Sequence, residues 1–171
     1  MRTLFLALRS VIYMTGFLLL CGWIALRVRA FDQRLGLSLP AAAEIPGAFL
    51  AVLGAVLVLW CASVFIWRGR GTPAIFDAPR EFVAIGPYRY VRNPLYIGGV
   101  ALLSGFGLYA RSISILFLAL LFFALVHLFV IFYEEPTLTR KFGSSYQVYL
   151  RAVRRWIPRW RARDTAPNRV E

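Results

Sequence analysis

Gly86-Pro87-Tyr88-Arg89-Tyr90-Val91-Arg92-Asn93-Pro94-Leu95-Tyr96-Ile97-Gly98 lies between two long apolar segments and holds two arginines, three tyrosines, two prolines and two glycines. A chain that crosses hydrocarbon needs only a polar turn at such a place. This density of charge and aromatic hydroxyl therefore marks a site as well as a boundary. A second polar cluster, Glu134-Glu135, closes the last apolar segment.

Outward from this stretch the sequence is apolar. Of 171 residues, 60% are hydrophobic, where a soluble domain runs closer to half. The excess falls in blocks near the ~20 residues that a helix needs to span a bilayer. The first block is Val11–Leu26, preceded by Arg2 and Arg9. A signal peptide is the competing reading, but Arg27 and Arg29 stand where a cleavage site needs small neutral residues, so a retained helix is expected. The second is Ile45–Trp67, where Gly47, Ala51 and Ala55 recur at four-residue steps and form a face that admits another helix closely. The third is Leu95 to about Ala110. It opens at Pro94, which suits the first helical position, and is rich in glycine (Gly98, Gly99, Gly105, Gly107). The glycines serve either helix packing or close approach of a ligand to backbone. Tyr109 and Arg111 reach the interface from its far end. The fourth block is Ile113–Tyr133.

Beyond Glu134-Glu135-Pro136, the residues Leu138, Phe142, Tyr146, Tyr149, Val153 and Trp156 recur at three- and four-residue steps, with Arg140, Lys141, Arg151, Arg154 and Arg155 off that stripe. This pattern predicts an amphipathic helix fit for the membrane surface. The fold class expected is an all-α integral membrane protein of about four transmembrane helices plus a C-terminal amphipathic helix. Residues 1–67 form the two N-terminal spans. Residues 68–160 form a core with a loop, a helical hairpin and the amphipathic helix. Residues 161–171 form a polar, disordered tail. The connection from Arg68 to Asn93 reads as ordered but irregular.

The net charge of +12 does not point to nucleic acid. Basic residues cluster at segment ends and at the C-terminus, as the positive-inside rule describes, and no nucleic-acid motif is present. Four spans put both termini and the Arg68–Asn93 connection on one side, expected to be cytoplasmic; Arg27, Arg29 and Arg34 fall on the other. Cys21 and Cys61 lie inside apolar blocks as small hydrophobes. No metal-ligand spacing is found, and neither a P-loop nor a dinucleotide glycine fingerprint follows a predicted strand.

If the third and fourth blocks form the antiparallel hairpin that their short link implies, Glu134 and Glu135 meet Arg89, Arg92, Asn93 and Tyr96. The glutamates suit a helix C-terminus poorly, because anions oppose the dipole there. His127, the lone histidine, precedes Glu134 by seven residues and falls roughly on its helical face. It is either a hydrogen-bonded packing residue or part of the site.

Gly86-Pro87-Tyr88-Arg89 with Arg92-Asn93-Pro94-Leu95-Tyr96-Ile97-Gly98 resembles the G-P-Y-R-x-x-R-(H/N)-P-x-Y-x-G signature of the isoprenylcysteine carboxyl methyltransferase and phospholipid methyltransferase families. Glu134-Glu135-Pro136-Thr137-Leu138 resembles their E-E-x-x-L. Phe142-Gly143, Tyr146, Tyr149 and Val153 through Pro158 resemble the F-G-x-x-Y-x-x-Y and V-x-R-W-x-P that follow. The similarity covers about Gly71 to Pro158. It implies S-adenosylmethionine as methyl donor, held between the start of the third helix, the paired glutamates and the C-terminal segment. On that resemblance the cofactor-binding candidates are Tyr88, Arg89, Asn93, Pro94, Tyr96, Gly98, His127, Glu134 and Glu135. Arg92 and Glu134 are the catalytic candidates, and no metal is expected. Arg89 or Arg92 can pair with the donor's carboxylate, either glutamate can accept from its hydroxyls or amino group, and Tyr88 or Tyr96 can face its sulfonium.

Asn93 departs from the histidine of many relatives. Asparagine is no base near neutral pH, so acid–base chemistry at this position does not carry over. The implied reaction is methyl transfer to a lipophilic, membrane-embedded acceptor, with the carboxylate of an isoprenylcysteine-like substrate favoured. The alternatives are a phospholipid N-methyltransferase, a dinucleotide-dependent membrane reductase of related architecture, and a non-enzymatic scaffold.

Overall fold

The computed structural model describes residues 2–64 and 85–159. Most of the Arg68–Asn93 connection, residues 65–67 of the second block and the tail from Trp160 lie outside the described residues. The described residues form five α-helices: α1 Arg2–Leu35, α2 Glu44–Val64, α3 Pro94–Tyr109, α4 Ile113–Phe129 and α5 Glu135–Ala152. A 3-10 turn at Ala41–Ala43 leads into α2 and another at Gly86–Arg89 precedes α3. No strand occurs among the described residues.

The described residues of the apolar blocks expected from sequence are helical, apart from the turn at Ala110. Two helical runs are long and apolar enough to cross a membrane, Ala41–Val64 and the run beginning at Ile113. The 16-residue α3 is shorter, at about 24 Å by the helical rise of ~1.5 Å per residue. Much of the apolar surface faces outward: Phe49, Val52, Val56 and Leu59 on α2, and Phe117, Leu120, Leu125 and Phe132 on or just beyond α4, are exposed. Apolar exposure on this scale fits a lipid surround.

Helix α1 outruns its apolar block by nine residues, from Leu26 to Leu35. It stops where Gly36 turns left-handed at φ +63° and the Leu37 N–H reaches back to the Asp32 carbonyl at 2.9 Å, a six-to-one closure that satisfies a helix-end carbonyl. Asp32 is 5% exposed. Its carboxylate accepts hydrogen bonds from the hydroxyls of Ser112 and Ser114 and from the Ser114 N–H. Ser112 in turn caps α4 by accepting from the Ile115 N–H at 3.1 Å. One carboxylate thus fastens the end of α1 to the start of α4. Arg111, which makes the α3–α4 turn at φ +54°, donates to the Leu39 carbonyl at 2.8 Å.

The tightest seam lies between antiparallel α2 and α3. A Cβ added at Gly105 would sit 2.3 Å from the Ala51 nitrogen, and one at Gly54 2.4 Å from the Leu102 nitrogen. Backbones this close leave no space for a side chain. The small-residue face is therefore real but shifted: Gly47, Ala51 and Gly54 meet α3, and Gly54 takes the place expected of Ala55.

The end of α4 also differs from expectation. The helix does not stop at Glu134-Glu135-Pro136. It widens into a π turn over Val130–Glu134 and continues as α5. Pro136 has no N–H to give the Phe132 carbonyl and its ring crowds that turn, so the helix takes up an extra residue instead of breaking. Gly143 (φ 55°, ψ −130°) then kinks α5. The amphipathic stripe is present, but Tyr146, Tyr149 and Val153 are 3%, 4% and 5% exposed and pack with Leu138, Phe142 and Leu150. That face is buried in the protein's own core, not laid on a membrane surface.

Candidate functional site

The signature stretch folds into a 3-10 turn because Gly86, at φ +59°, and Pro87 set its first corner. The Tyr90 and Val91 N–H groups then close onto the Pro87 carbonyl at 3.1 and 3.3 Å. The turn buries Pro87 and Tyr88 and carries Arg89, half-buried, at its end. Tyr88 and Cys61 of α2 share a hydrogen bond. Burial, with the Cys61 thiol and then Glu134 nearby, pushes the Tyr88 hydroxyl well above the ordinary tyrosine range, so it stays a neutral donor. Pro94 follows at the first position of α3.

The two polar clusters do meet. Arg92 Nη1 donates to Glu135 Oε1 at 2.7 Å, and Tyr96 Oη donates to Glu134 Oε2 at 3.0 Å. Arg155 adds a fork: its Nε reaches Glu135 Oε1 at 2.9 Å and its Nη2 reaches Oε2 at 2.8 Å. That bond to Glu135 raises the Arg155 pKa further. Neighbouring glutamates therefore differ. Among the described residues, Glu135 accepts three hydrogen bonds from two arginines, and Glu134 accepts one, from a tyrosine. Arg92 Nε is buried with no partner among the described residues. A buried guanidinium N–H left unpaired costs ~1–3 kcal/mol or more, a cost that an anionic group reaching it would offset.

The segment after α5 closes along the signature stretch. The Arg92 N–H bonds the Arg154 carbonyl at 2.9 Å, and the Arg159 N–H bonds the Tyr90 carbonyl at 3.0 Å. Tyr149 Oη donates to the Tyr88 carbonyl at 2.7 Å, and Asn93 Nδ2 to the Arg155 carbonyl at 3.3 Å. Asn93 is buried and spends its amide on this segment. His127 accepts a bond from Trp156 Nε1 at 2.9 Å and lies against Phe123. The π turn rotates Glu134 relative to the straight-helix expectation, and His127 spends its Nδ1 on Trp156. Gly98 faces α2, where an added Cβ would meet Val58 at 2.9 Å. Its missing side chain serves helix packing.

Sequence reasoning missed two members of this cluster. By periodicity Arg155 falls among the basic residues off the amphipathic stripe, and Trp156 on the stripe itself. Both lie in Val153 through Pro158, whose resemblance to a family motif was the available signal.

An open groove of about 570 Å³ is lined by Ile131, Phe132, Glu135, Pro136, Thr139, Arg140 and Leu150. It touches the cluster only at Glu135. No group of three or more His, Cys, Asp or Glu able to hold a metal occurs among the described residues.

A nickel-cobalt-cadmium resistance protein of Alcaligenes xylosoxydans xylosoxydans is 33% identical over 101 residues, 59% of this chain and 43% of that protein. The chain thus spans less than half the length of that relative. No solved structure matches the chain. The family model for phospholipid methyltransferases matches residues 43–145, which takes in α2, the signature stretch, the hairpin and the paired glutamates. The chain belongs to the phospholipid methyltransferase family, within the integral-membrane methyltransferases.

Proposed function

We propose that the protein transfers a methyl group from S-adenosylmethionine to a lipophilic acceptor held at membrane depth. The observation that carries this is the buried Arg92 Nε, without a partner among the described residues, beside a glutamate that takes one hydrogen bond among them, in a chain of this family. When bound, S-adenosylmethionine supplies a sulfonium methyl open to in-line displacement. The residues present fit such a group. Arg92 Nε offers a charge-assisted bond to a carboxylate. Glu134 has room to accept from a hydroxyl or an ammonium. Tyr96, whose hydroxyl is tied to Glu134, presents its ring edge or face beside them. Arg92 and Glu134 are the reacting-site residues, with Tyr88, Arg89 and Tyr96 as further binding candidates. Asn93, Pro94 and His127 shape the walls, and Gly98 lets α2 pack closely behind them.

The family favours a phospholipid amine as acceptor. An ammonium head must lose a proton before it attacks, and Glu134 is the carboxylate placed to receive it. A carboxylate acceptor of the isoprenylcysteine type is the second reading, supported by the same Arg92 donor, which orients an anion without any base. In either case the acceptor's apolar chain enters sideways along the groove of Ile131, Phe132 and Leu150. We place the site and both termini on the cytoplasmic side, with residues 1–67 as membrane anchor and 68–160 as the working core. The chain's tasks are then alignment and exclusion of water.

Calorimetry on the purified protein in detergent tests this. Binding of S-adenosylmethionine or S-adenosylhomocysteine is expected. No binding by folded protein sinks the proposal, and tight binding of a nicotinamide dinucleotide in their place promotes the reductase reading. Methyl-labelled donor with a native membrane extract then identifies the acceptor.

A further inference from the structure

The two glutamates stand next to each other in sequence but are bonded so differently that one role does not cover both. Glu135 has both oxygens engaged: Oε1 by Arg92 and Arg155, Oε2 by Arg155. Its side chain is 15% exposed and that of Arg92 14%. With three of its roughly four acceptor sites taken by arginines, Glu135 has at most one left for a ligand, on Oε2. Glu135 also joins three separate pieces of chain: the signature stretch through Arg92, the start of α5, and the C-terminal segment through Arg155. That segment is the one whose backbone is bonded to Tyr90 and Arg92. A bidentate fork is the most directional ion pair a protein makes, and in a half-buried setting it is screened little.

We infer that Glu135 and Arg155 are positioning residues, a pin that holds the segment Val153–Arg159 closed along Tyr90–Asn93 and grips the Arg92 guanidinium by Nη1, leaving its Nε for a ligand. Glu134, with one bond among the described residues, is the main ligand acceptor of the pair. The ligand part of this rests on the proposed methyl-donor pocket; the pin itself does not. Asn93 and Tyr149 add neutral bonds to the same closure, but neither holds Arg92. Release of the Glu135–Arg155 fork is then the step that frees the segment, so ligand departs at a rate set by the pin.

Hydrogen exchange on the full-length protein in detergent, without ligand, tests the pin. In Glu135→Gln, peptides covering residues 90–93 and 153–159 are expected to exchange at least tenfold faster than wild type. The α4 peptide 113–129 serves as the internal control for folding and should be unchanged. Arg155→Lys, which keeps the charge but loses the fork, should fall between the two. Glu134→Gln should leave all of these peptides within twofold of wild type. The ligand arm uses S-adenosylhomocysteine. Glu135→Gln should raise its dissociation rate at least tenfold, and Glu134→Gln should weaken binding without loosening the segment. Unchanged exchange in both Glu135→Gln and Arg155→Lys overturns the inference, as does equal loosening by Glu134→Gln. Accelerated exchange in Glu135→Gln, with no binding by any form including wild type, supports the pin and counts against the methyl-donor pocket.

Discussion

Where α1 meets α4, the Asp32 carboxylate takes two serine hydroxyls and an N–H, and its serine partner caps the helix. At the other end of α4, Glu134 takes one bond and Arg92 keeps a buried donor without a described partner. Both clusters are largely buried, both join distant chain segments, and both contain a carboxylate. A closed set of bonds is a complete structural unit, since every buried polar group has its partner. A set left open among the described residues has acceptor and donor capacity that a ligand can use. On the proposed function the Asp32 end is construction and the Glu134 end a ligand site, a distinction that burial and charge alone do not make.

The α2–α3 seam runs between these ends, so breaking it should break both. Gly105→Val drives a branched side chain into the Ala51 backbone. Overpacking costs ~1–3 kcal/mol and sometimes more, and here the neighbour is backbone that cannot move aside. We expect the largest effect of the set: loss of about 3 kcal/mol or failure to fold, seen as a lowered unfolding midpoint in detergent together with lost ligand binding. A stable Gly105→Val protein would show that the helices can separate without cost to the site.

Asp32→Ala should separate the ends. It strands the hydroxyls and N–H that the carboxylate held, at ~1.5–3 kcal/mol for bonds to a charged group, so stability should fall by about 2 kcal/mol. Ligand affinity of the folded fraction should not change. The same residue gives a pH test. Burial alone would raise its pKa, but the bonds from Ser112 and Ser114 and the Arg29 charge outweigh this and hold it below the usual carboxylate range. Asp32 lies past the apolar block of α1. A depressed folded pKa means the stabilisation is complete above the unfolded value near 4 and is lost as pH falls through the folded value. The acid limb of a stability–pH curve should therefore flatten in Asp32→Asn.

Much of this was legible in the sequence, for physical reasons that also explain the failures. Helical blocks follow from apolar length, and the helix-three start follows from Pro94. The meeting of Arg92 and Tyr96 with Glu134 and Glu135 follows from an even hairpin between α3 and α4. Register was less visible. Ala55 and Gly54 differ by one residue, about 100° around a helix, and both are small enough to serve a close seam. His127 and Glu134 share a face only in a straight helix, and the π turn induced at Pro136 removes that premise. Arg155 looked like a solvated charge because the carboxylate it serves lies 20 residues earlier. The amphipathic stripe was correctly located, but a stripe does not say whether lipid or protein covers it.

On the open side of the comparison, Glu134→Gln should leave stability nearly unchanged, because the amide still accepts from Tyr96. It should weaken S-adenosylhomocysteine binding about tenfold, or ~1.4 kcal/mol, through loss of the charge. A stability loss as large as that of Asp32→Ala would place Glu134 among the construction residues and erase the contrast between the ends.

Asn93 supplies the smallest and most discriminating change. Its one described side-chain bond, to the Arg155 carbonyl, is long at 3.3 Å, and a neutral bond is worth ~0.5–1.5 kcal/mol net. Asn93→Ala should therefore cost about 1 kcal/mol of stability and shift ligand affinity by less than fivefold, read by thermal unfolding and calorimetry. Asn93→His, which restores an N–H at this position, should recover part of the stability without raising the rate of methyl transfer. A large rate gain on adding the imidazole would show that the reaction wants a base there. The work assigned to alignment by Arg92 and Glu134 would then belong to proton transfer at the start of α3.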